Sequence, residues 1–429
     1  GLFSYGKLHI AYGETGKEPP VYAAVTTLNT QYTPGSGYGD VIKTTIGGVG
    51  GIVTNIRLGN QSLRPERNRE TEFGADLAFL RNKVDLSAVY YNKRSSDLIL
   101  NVPISAAQTG STQAYENAAT LRNEGTELTL NAHPFNNERL AWDVGMQFGR
   151  NRGIVTSLAG AQFITYNLEG FNGAIGSSTV GFAPGVIRGV DFARCGRGIV
   201  LADGTDIDKA CGAAPKNALY LAANGQPIPE GGQRVIADPN PKYTMSYNST
   251  LRVGSKLRFS GLLDVRKGGS VWNGTRGILD YFGTASETLI RNSTNGQFGK
   301  NYLTGVYPTV AGPGAGVVAF KTPQQWQAWF NGNGGGFGPV GAQFVEDGSF
   351  AKLRELSVTY TADQSWVHAL SGFSSVDLRV AGRNLKTWTR YKGLDPEANL
   401  GGSEFLTQGI DYFNNPQVRS FVFSVSLNR

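Results

Sequence analysis

A chain of 429 residues with 58 glycines, 18 tyrosines and 22 phenylalanines but only 17% charged residues has the profile of a β-rich, turn-rich protein. No run of about eighteen apolar residues occurs in it, which excludes a helical membrane span, whereas a mean hydropathy of −0.24 does not exclude a β-barrel, because half of every barrel strand faces water. The net charge of +7 comes from Lys and Arg without a dense cluster, which argues against nucleic acid and leaves open a scattered basic surface or a basic interior that attracts anionic solutes.

Leu8, Ile10 and Tyr12 alternate with Lys7, His9 and Ala11, so residues 2–13 are expected to form a strand. Residues 14–69 have the character of a long loop. Its Gly47-Gly-Val-Gly-Gly51 cluster is not a dinucleotide fingerprint, because Val53 stands at the sixth position and no strand–turn–helix context surrounds it. Phe73, Ala75, Leu77 and Phe79 then alternate with small and acidic residues. A tight turn at Arg81 and Asn82 leads back through Val84, Leu86, Ala88 and Tyr90 as a hairpin. After a medium loop at residues 95–121, Thr126, Leu128, Leu130 and Ala132 turn at residues 133–138. They return as Leu140, Trp142, Val144, Met146 and Phe148, set against Asp143 and Gln147.

Residues 153–241 show no sustained periodicity. A hairpin follows over residues 243–253 and 256–266, turning at Gly254-Ser255, and then a second irregular stretch over 267–348. Three closing strands carry Leu356, Val358 and Tyr360; Val376, Leu378 and Val380; and Phe421, Phe423, Val425 and Leu427. Period-two patterning gives each strand one apolar and one polar face. That fits a soluble sandwich with an apolar core, or a membrane barrel with lipid outside and a wet lumen. The connections favour the barrel: ten expected strands are joined alternately by short turns and long loops, the pattern of outer-membrane barrels and a poor one for a compact soluble domain.

Six separated stretches are more specific. They are Leu63-Arg-Pro-Glu-Arg67 with Glu70-Thr-Glu-Phe-Gly-Ala-Asp76; Val89-Tyr-Tyr-Asn-Lys-Arg-Ser-Ser-Asp-Leu98; and Arg122-Asn-Glu-Gly-Thr-Glu-Leu128. Near the end stand Asp347-Gly-Ser-Phe-Ala-Lys-Leu-Arg354; Gly382-Arg-Asn-Leu385 followed by Tyr391-Lys-Gly-Leu-Asp-Pro-Glu397; and Gly409-Ile-Asp-Tyr412 with Pro416-Gln-Val-Arg-Ser-Phe421. In this order they resemble the signature of the SusC/RagA family of TonB-dependent outer-membrane transporters, over residues 1–152, 240–266 and 345–429.

The resemblance implies an all-β fold: an antiparallel transmembrane β-barrel of about 22 strands with long extracellular loops, of which this chain supplies the C-terminal ten or so. Residues 1–429 would then be the C-terminal portion of a single barrel domain, the plug and the first strands lying outside this chain. It further implies TonB-dependent import of a nutrient, an oligosaccharide or a peptide, across the outer membrane of a Gram-negative bacterium. The implied partners are a SusD-like surface lipoprotein, outer-membrane lipid, and TonB acting through an N-terminal part not in this chain; no cofactor and no enzymatic activity are implied. The chain departs from the family in ending on Asn428-Arg429 rather than on an aromatic residue. A passive or structural barrel without TonB coupling, and a soluble all-β binding module, are the alternative classes.

Cys195 and Cys211, the only cysteines, fall in the second long loop. On an oxidising cell surface they are expected to be disulfide-bonded, stabilising the loop by ~3 kcal/mol in the chain-entropy model, against two buried free thiols as the alternative. Asp203, Asp206 and Asp208 lie between them without EF-hand spacing, and read as a solvated acidic turn, with a calcium site in an oxygen-rich loop as the alternative. His9, His133 and His368 are too dispersed for a metal centre, and no Gly-x-Ser-x-Gly elbow appears, so no catalytic group is expected. Trp142 and Tyr360 at short-turn ends, and Tyr90, Tyr91 and Trp388 at long-loop ends, are expected to form interfacial girdles. Tyr302, Tyr307, Trp326, Trp329 and Phe330 are placed in a surface loop, available to a sugar or a partner. Residues that contact the substrate are not legible.

Overall fold

A computed structural model of the chain describes residues 2–29, 53–54, 57–166, 173–222, 226–286, 288–289, 304–309, 312–317, 323–363, 367, 369, 373–402 and 408–428. Ten long strands form one antiparallel sheet in sequential order: β1 (Phe3–Lys17), β2 (Glu66–Phe79), β3 (Val84–Pro103), β4 (Gln113–Asn136), β5 (Leu140–Ser157), β6 (Tyr243–Val253), β7 (Leu257–Lys267), β8 (Phe350–Ala362), β9 (Ser375–Thr389) and β10 (Ser420–Asn428). β1 pairs with β2 and β10 with β9. Among the described residues no pairing joins β1 to β10, so the sheet is open at both edges.

The register sorts side chains into rows. Leu8, Ala75, Ala88, Leu128, Phe148, Met245, Val265, Ala351 and Trp388 face one another in sequence across nine strands, an unbroken apolar row. One residue along each strand, Lys7, Asp76, Ser87, Thr129, Gln147, Ser246, Asp264, Lys352 and Thr387 form an equally unbroken polar row. Leu140, Val253, Leu257, Tyr360, Leu378 and Val425 repeat the apolar row nearer the short turns.

The apolar face is not covered by protein: Leu8 is 81% exposed and Phe423 76%. A sheet whose large apolar side chains point away from all other protein is built for a hydrocarbon surround. From Leu140 to Phe148 the outward set spans eight residue steps, about 20 Å along the barrel axis at ~3.3 Å per residue and a ~40° tilt. Trp142 lies in this face and its indole N–H donates to Ser249 Oγ at 3.0 Å, so that polar atom is satisfied within the strand pair.

The short turns are locked by backbone conformation. Leu80, Arg81 and Asn82 all have positive φ (54°, 59° and 63°), reversing the chain between β2 and β3 within three residues. At the other end the strands outrun the membrane. The medium loop expected at residues 95–121 is instead the upper half of β3 and β4, joined by a short turn containing the helix Ala106–Thr109. The cause is a bulge at Asp97, where φ is 56° and the register shifts between Ser95 and Leu98. Beyond it Leu98, Leu100, Val102 and Leu121 pack on Ala118, Ala119, Val155, Leu158 and Ile164.

The two stretches without periodicity also hold structure. Phe163–Tyr166, Ile175–Thr179, Val186–Phe192 and Pro229–Ala237 make a four-stranded sheet, and Val345–Asp347, Ser270–Asn273 and Ile410–Asp411 a three-stranded one. A core of Ile187, Trp272, Phe344 and Ile410 joins these pieces. The conventional hydrophobic core of this protein is therefore in its loops.

Candidate functional site

The polar face curves around a recess of about 650 Å³, bordered by Glu127, Thr129, Gln147, Ser246, Asp264, Arg266, Arg354 and Glu397. Its upper rim is a network of charges. Lys352, 2% exposed, places Nζ 3.2 Å from both carboxylate oxygens of Asp395 and 2.5 Å from Glu397 Oε2. Arg354 donates through Nη1 and Nη2 to the two oxygens of Glu397 (2.7 and 2.5 Å), and through Nε to Asp264 Oδ2 at 2.7 Å. Asp395 in turn accepts the backbone N–H groups of Glu397 (3.0 Å) and Gln417 (3.1 Å), while Gln417 Oε1 accepts from Arg354 at 3.2 Å. Burial opposes ionisation of Glu397, but hydrogen bonds from Arg354 and Lys352 and their charges outweigh it and hold its carboxyl below the usual range.

The strand that supplies these cations is shaped for the purpose. Arg354 is an extra residue on β8 relative to β7, because Leu262 pairs with Glu355 and Leu263 with Leu353. The bulge lets Lys352, Arg354 and Glu355 all address the polar side, while Leu353 and Leu356 stay outward. Glu355 then bonds Arg379 and Arg383 of β9, extending the network along the wall. Nearby, Tyr391 donates to Asp411 Oδ2, and Thr275 Oγ1 to Asp411 Oδ1 at 3.2 Å. Burial and the hydrogen bond to Asp411 push the Tyr391 hydroxyl well above its ordinary range, so it remains a donor. Three of the six sequence stretches, through residues 352 and 354, 391–397, and 411 and 417, thus meet at one place and tie the described part of the 390–419 loop to the wall.

A smaller knot uses the earlier stretches. Arg64 bonds Asp97 at 2.9 Å, Asn117 clamps both Arg64 and Asp97 through backbone bonds, and Glu66 Oε1 accepts the Ile99 N–H at 3.0 Å beside the bulge.

The other residues singled out by sequence are dispersed. Cys195 and Cys211 are joined by a disulfide inside a small loop core with Ile199, Ile207 and Tyr220. Asp206 caps the helix Ile207–Cys211, Asp208 accepts backbone N–H groups of Gly196, Arg197 and Gly198, and Asp203 accepts from Thr205 N, so each carboxylate serves the loop's own backbone. Among the described residues no group of His, Cys, Asp and Glu is arranged to hold a metal. His133 Nδ1 lies 2.5 Å from Asp143, and His9 lies 3.9 Å from Asp76; His368 and the 47–51 glycines lie outside the described residues.

Tyr90, Trp388 and Tyr360 are exposed on the apolar side, but Tyr91 is not part of a girdle. It follows Tyr90 directly and so faces inward, crossing Gly125 to donate to Asn151 at 3.1 Å. Trp329 and Phe330 are not presented to solvent either: Trp329 is 1% exposed and stacks on Phe192 at 6.0 Å. Tyr302 and the side chains of Tyr307 and Trp326 lie outside the described residues.

Residues 6–190 match the family model described as TonB dependent receptor-like, beta-barrel. TonB-dependent receptor P3 of Formosa agariphila is 24% identical over 98% of this chain, covering 39% of that protein. TonB-dependent receptor SusC of Bacteroides thetaiotaomicron is 21% identical over 98% of this chain and 37% of its own. The chain thus spans about two fifths of the length of the curated relatives it matches. Among solved structures, that of the RagAB peptide transporter superposes with a TM-score of 0.63 at 16% identity, over 99% of this chain and 41% of that one. The RagAB peptide importer in its closed-closed state gives 0.61 at 18% identity, over 100% of this chain and 41% of that one.

Proposed function

We propose that the ten-stranded sheet is a length of the outer-membrane β-barrel of a TonB-dependent receptor of the SusC/RagA type, and that residues 1–429 are the C-terminal portion of a single barrel domain in a nutrient importer. The remaining strands and a plug complete the wall and close the lumen. Import is driven by TonB, the cargo is an oligosaccharide or a peptide, and a SusD-like lipoprotein captures it outside. The chain carries the wall and the outer loops and performs no covalent chemistry.

The observation that carries this reading is the polar face. Its inward residues are small or charged, as the row from Lys7 to Thr387 shows, and such a set suits a wide wet lumen rather than a narrow filled cylinder. The open edges of β1 and β10 agree with this, since bare strand edges in lipid cost several kcal/mol per unpaired group and call for neighbouring strands. The peptide cargo named for RagAB supports a peptide as one of the two cargo classes. The test is energised uptake: cells carrying the complete receptor should accumulate labelled oligosaccharide or peptide only when TonB is present. Uptake that is unchanged on TonB deletion would point to a passive barrel. Affinity isolation of the receptor from native membranes should recover a stoichiometric lipoprotein held by residues 153–241 and 267–348; a receptor that isolates alone rejects that partner.

A further inference from the structure

The outward face changes character abruptly at the long-loop end. Two residues beyond Phe148 on the same face stands Arg150, and two beyond that Arg152, paired across the strand with Thr126 and Glu124. One row higher, Arg69, Arg94 and Arg122 stand directly opposite one another on β2, β3 and β4. Like charges placed face to face in a sheet destabilise it unless an anion lies among them. Glu14 answers Arg69 and Glu124 answers Arg122, yet Arg94, Arg150, Arg152 and Lys242 form no ion pair with any described residue. At ~3.3 Å per residue and a ~40° tilt, these rows lie within about 15 Å of the top of the apolar belt, which is headgroup depth.

At the β5 side of this collar lies a recess of about 720 Å³, which Arg150 and Arg152 alone of these arginines reach. Its floor belongs to the belt, where Phe148 packs on Tyr243 with ring centroids 5.7 Å apart. Arg150, Arg152 and Lys242 border it, and Phe182 of the overlying loop forms part of its lining. The one acid in the lining, Asp238, is engaged by Asn240, accepting its backbone and side-chain N–H groups at 2.9 and 2.8 Å. An apolar floor at the level of acyl chains beneath a cationic wall at the level of headgroups is complementary to one kind of molecule.

We propose that this recess binds a phosphorylated glycolipid of the outer leaflet, its phosphate held by Arg150, Arg152 and Lys242 and an acyl chain lying on Phe148 and Tyr243. The assignment rests on the outer-membrane placement of the sheet with its long connections outward. It concerns the outside of the wall and is independent of cargo.

The complete receptor, purified in detergent, is titrated with monophosphoryl lipid A, its dephosphorylated form, phosphatidylglycerol and inorganic phosphate, with bound lipid read by native mass spectrometry. Monophosphoryl lipid A should bind, and the dephosphorylated form about tenfold or more weaker. The triple variant Arg150→Gln, Arg152→Gln, Lys242→Gln should weaken binding by on the order of a hundredfold, about fivefold for each charge removed. The charge-preserving triple variant Arg150→Lys, Arg152→Lys, Lys242→Arg should stay within about tenfold of the native protein, which separates lost charge from lost fold. Native-like binding by the Gln variant, or equal binding of the dephosphorylated lipid, overturns the site. Equal binding of phosphatidylglycerol or of inorganic phosphate overturns the glycolipid assignment. Because the assay reads lipid and not uptake, its failure and that of the transport reading are separately visible.

Discussion

Replacing Lys352 by Met removes the cation at the centre of the rim while keeping most of its aliphatic volume. Lys352 is 2% exposed, and its ammonium is shared between Asp395 and Glu397. Removing one member of a buried ion pair costs about 3–5 kcal/mol, because the remaining charge is left in a poor solvent. Two compensations lower that figure here. Asp395 keeps the backbone donors of Glu397 and Gln417, and Glu397 keeps both arms of Arg354. We therefore expect about 2–4 kcal/mol, expressed as local opening of the 390–419 loop rather than as unfolding of the sheet. Amide hydrogen exchange of the detergent-solubilised receptor reads this directly: protection over residues 391–402 and 408–418 should fall by a factor between about thirty and nearly a thousand. The turn at residues 80–82, remote from the network, should exchange at its native rate. Unchanged protection in the loop, or an equal loss at that turn, would refute the claim that this network pins the loop to the wall.

Three further outcomes follow from the same geometry. Val144→Arg puts a charge on the lipid face and should cost about 2–4 kcal/mol in urea unfolding from lipid vesicles if the position lies near the midplane, whereas Gln147→Arg on the polar face should cost less than about 1 kcal/mol. Thiol labelling of intact cells without reductant should leave Cys195 and Cys211 unmodified, and ready labelling would reject the bond. Glu397 titrates below its ordinary value of 4.5, so its contribution is complete above that pH and is lost as pH falls through the lower folded value; loop protection should be flat from neutrality to about 4.5 and decline only below it.

The ten strands were legible because lipid and water impose opposite demands on successive residues, and Leu140–Phe148 obeys them without interruption. The two bulges were not read from the sequence, although each leaves a trace there. Leu353 and Leu356 are three apart rather than two, which is the mark of an extra residue at Arg354. Leu98, Leu100 and Val102 keep the period of two, but Ile99 between them blurs it and the stretch reads as a loop. Ser95-Ser-Asp97 interrupts them, because there the chain leaves lipid and its apolar side turns toward protein. The stretches from 352 to 421 marked the family, but not the reason for their residue types. Bonded partners among these lysine, arginine, aspartate and glutamate residues, up to ninety positions apart, meet only through the register of β7 and β8 and the return of the loop. The sheet at residues 163–237 left no periodic trace, since its short strands are buried irregularly on both sides. Trp329 and Phe330 were misplaced for the same reason: residues beside a glycine-rich turn look exposed until another loop covers them.

The paired rows also make the sheet a parity device. A strand displaced by one position would carry Lys7, Asp76, Gln147, Asp264 or Lys352 into hydrocarbon, at about 2–4 kcal/mol for a basic side chain near the midplane, so odd errors are rejected by the solvent itself. A displacement of two restores the faces and escapes that check. What stops it is the three-residue reversal at Leu80–Asn82 and the single added residues at Asp97 and Arg354, which fit their partners in one alignment. Changes in length are therefore heritable at one end of the wall only. An insertion between β2 and β3 must be undone by a second change nearby, whereas changes of length within residues 158–242 and 268–349 leave the register of the ten wall strands untouched. The wall can stay constant while the face it presents to the surroundings is rewritten.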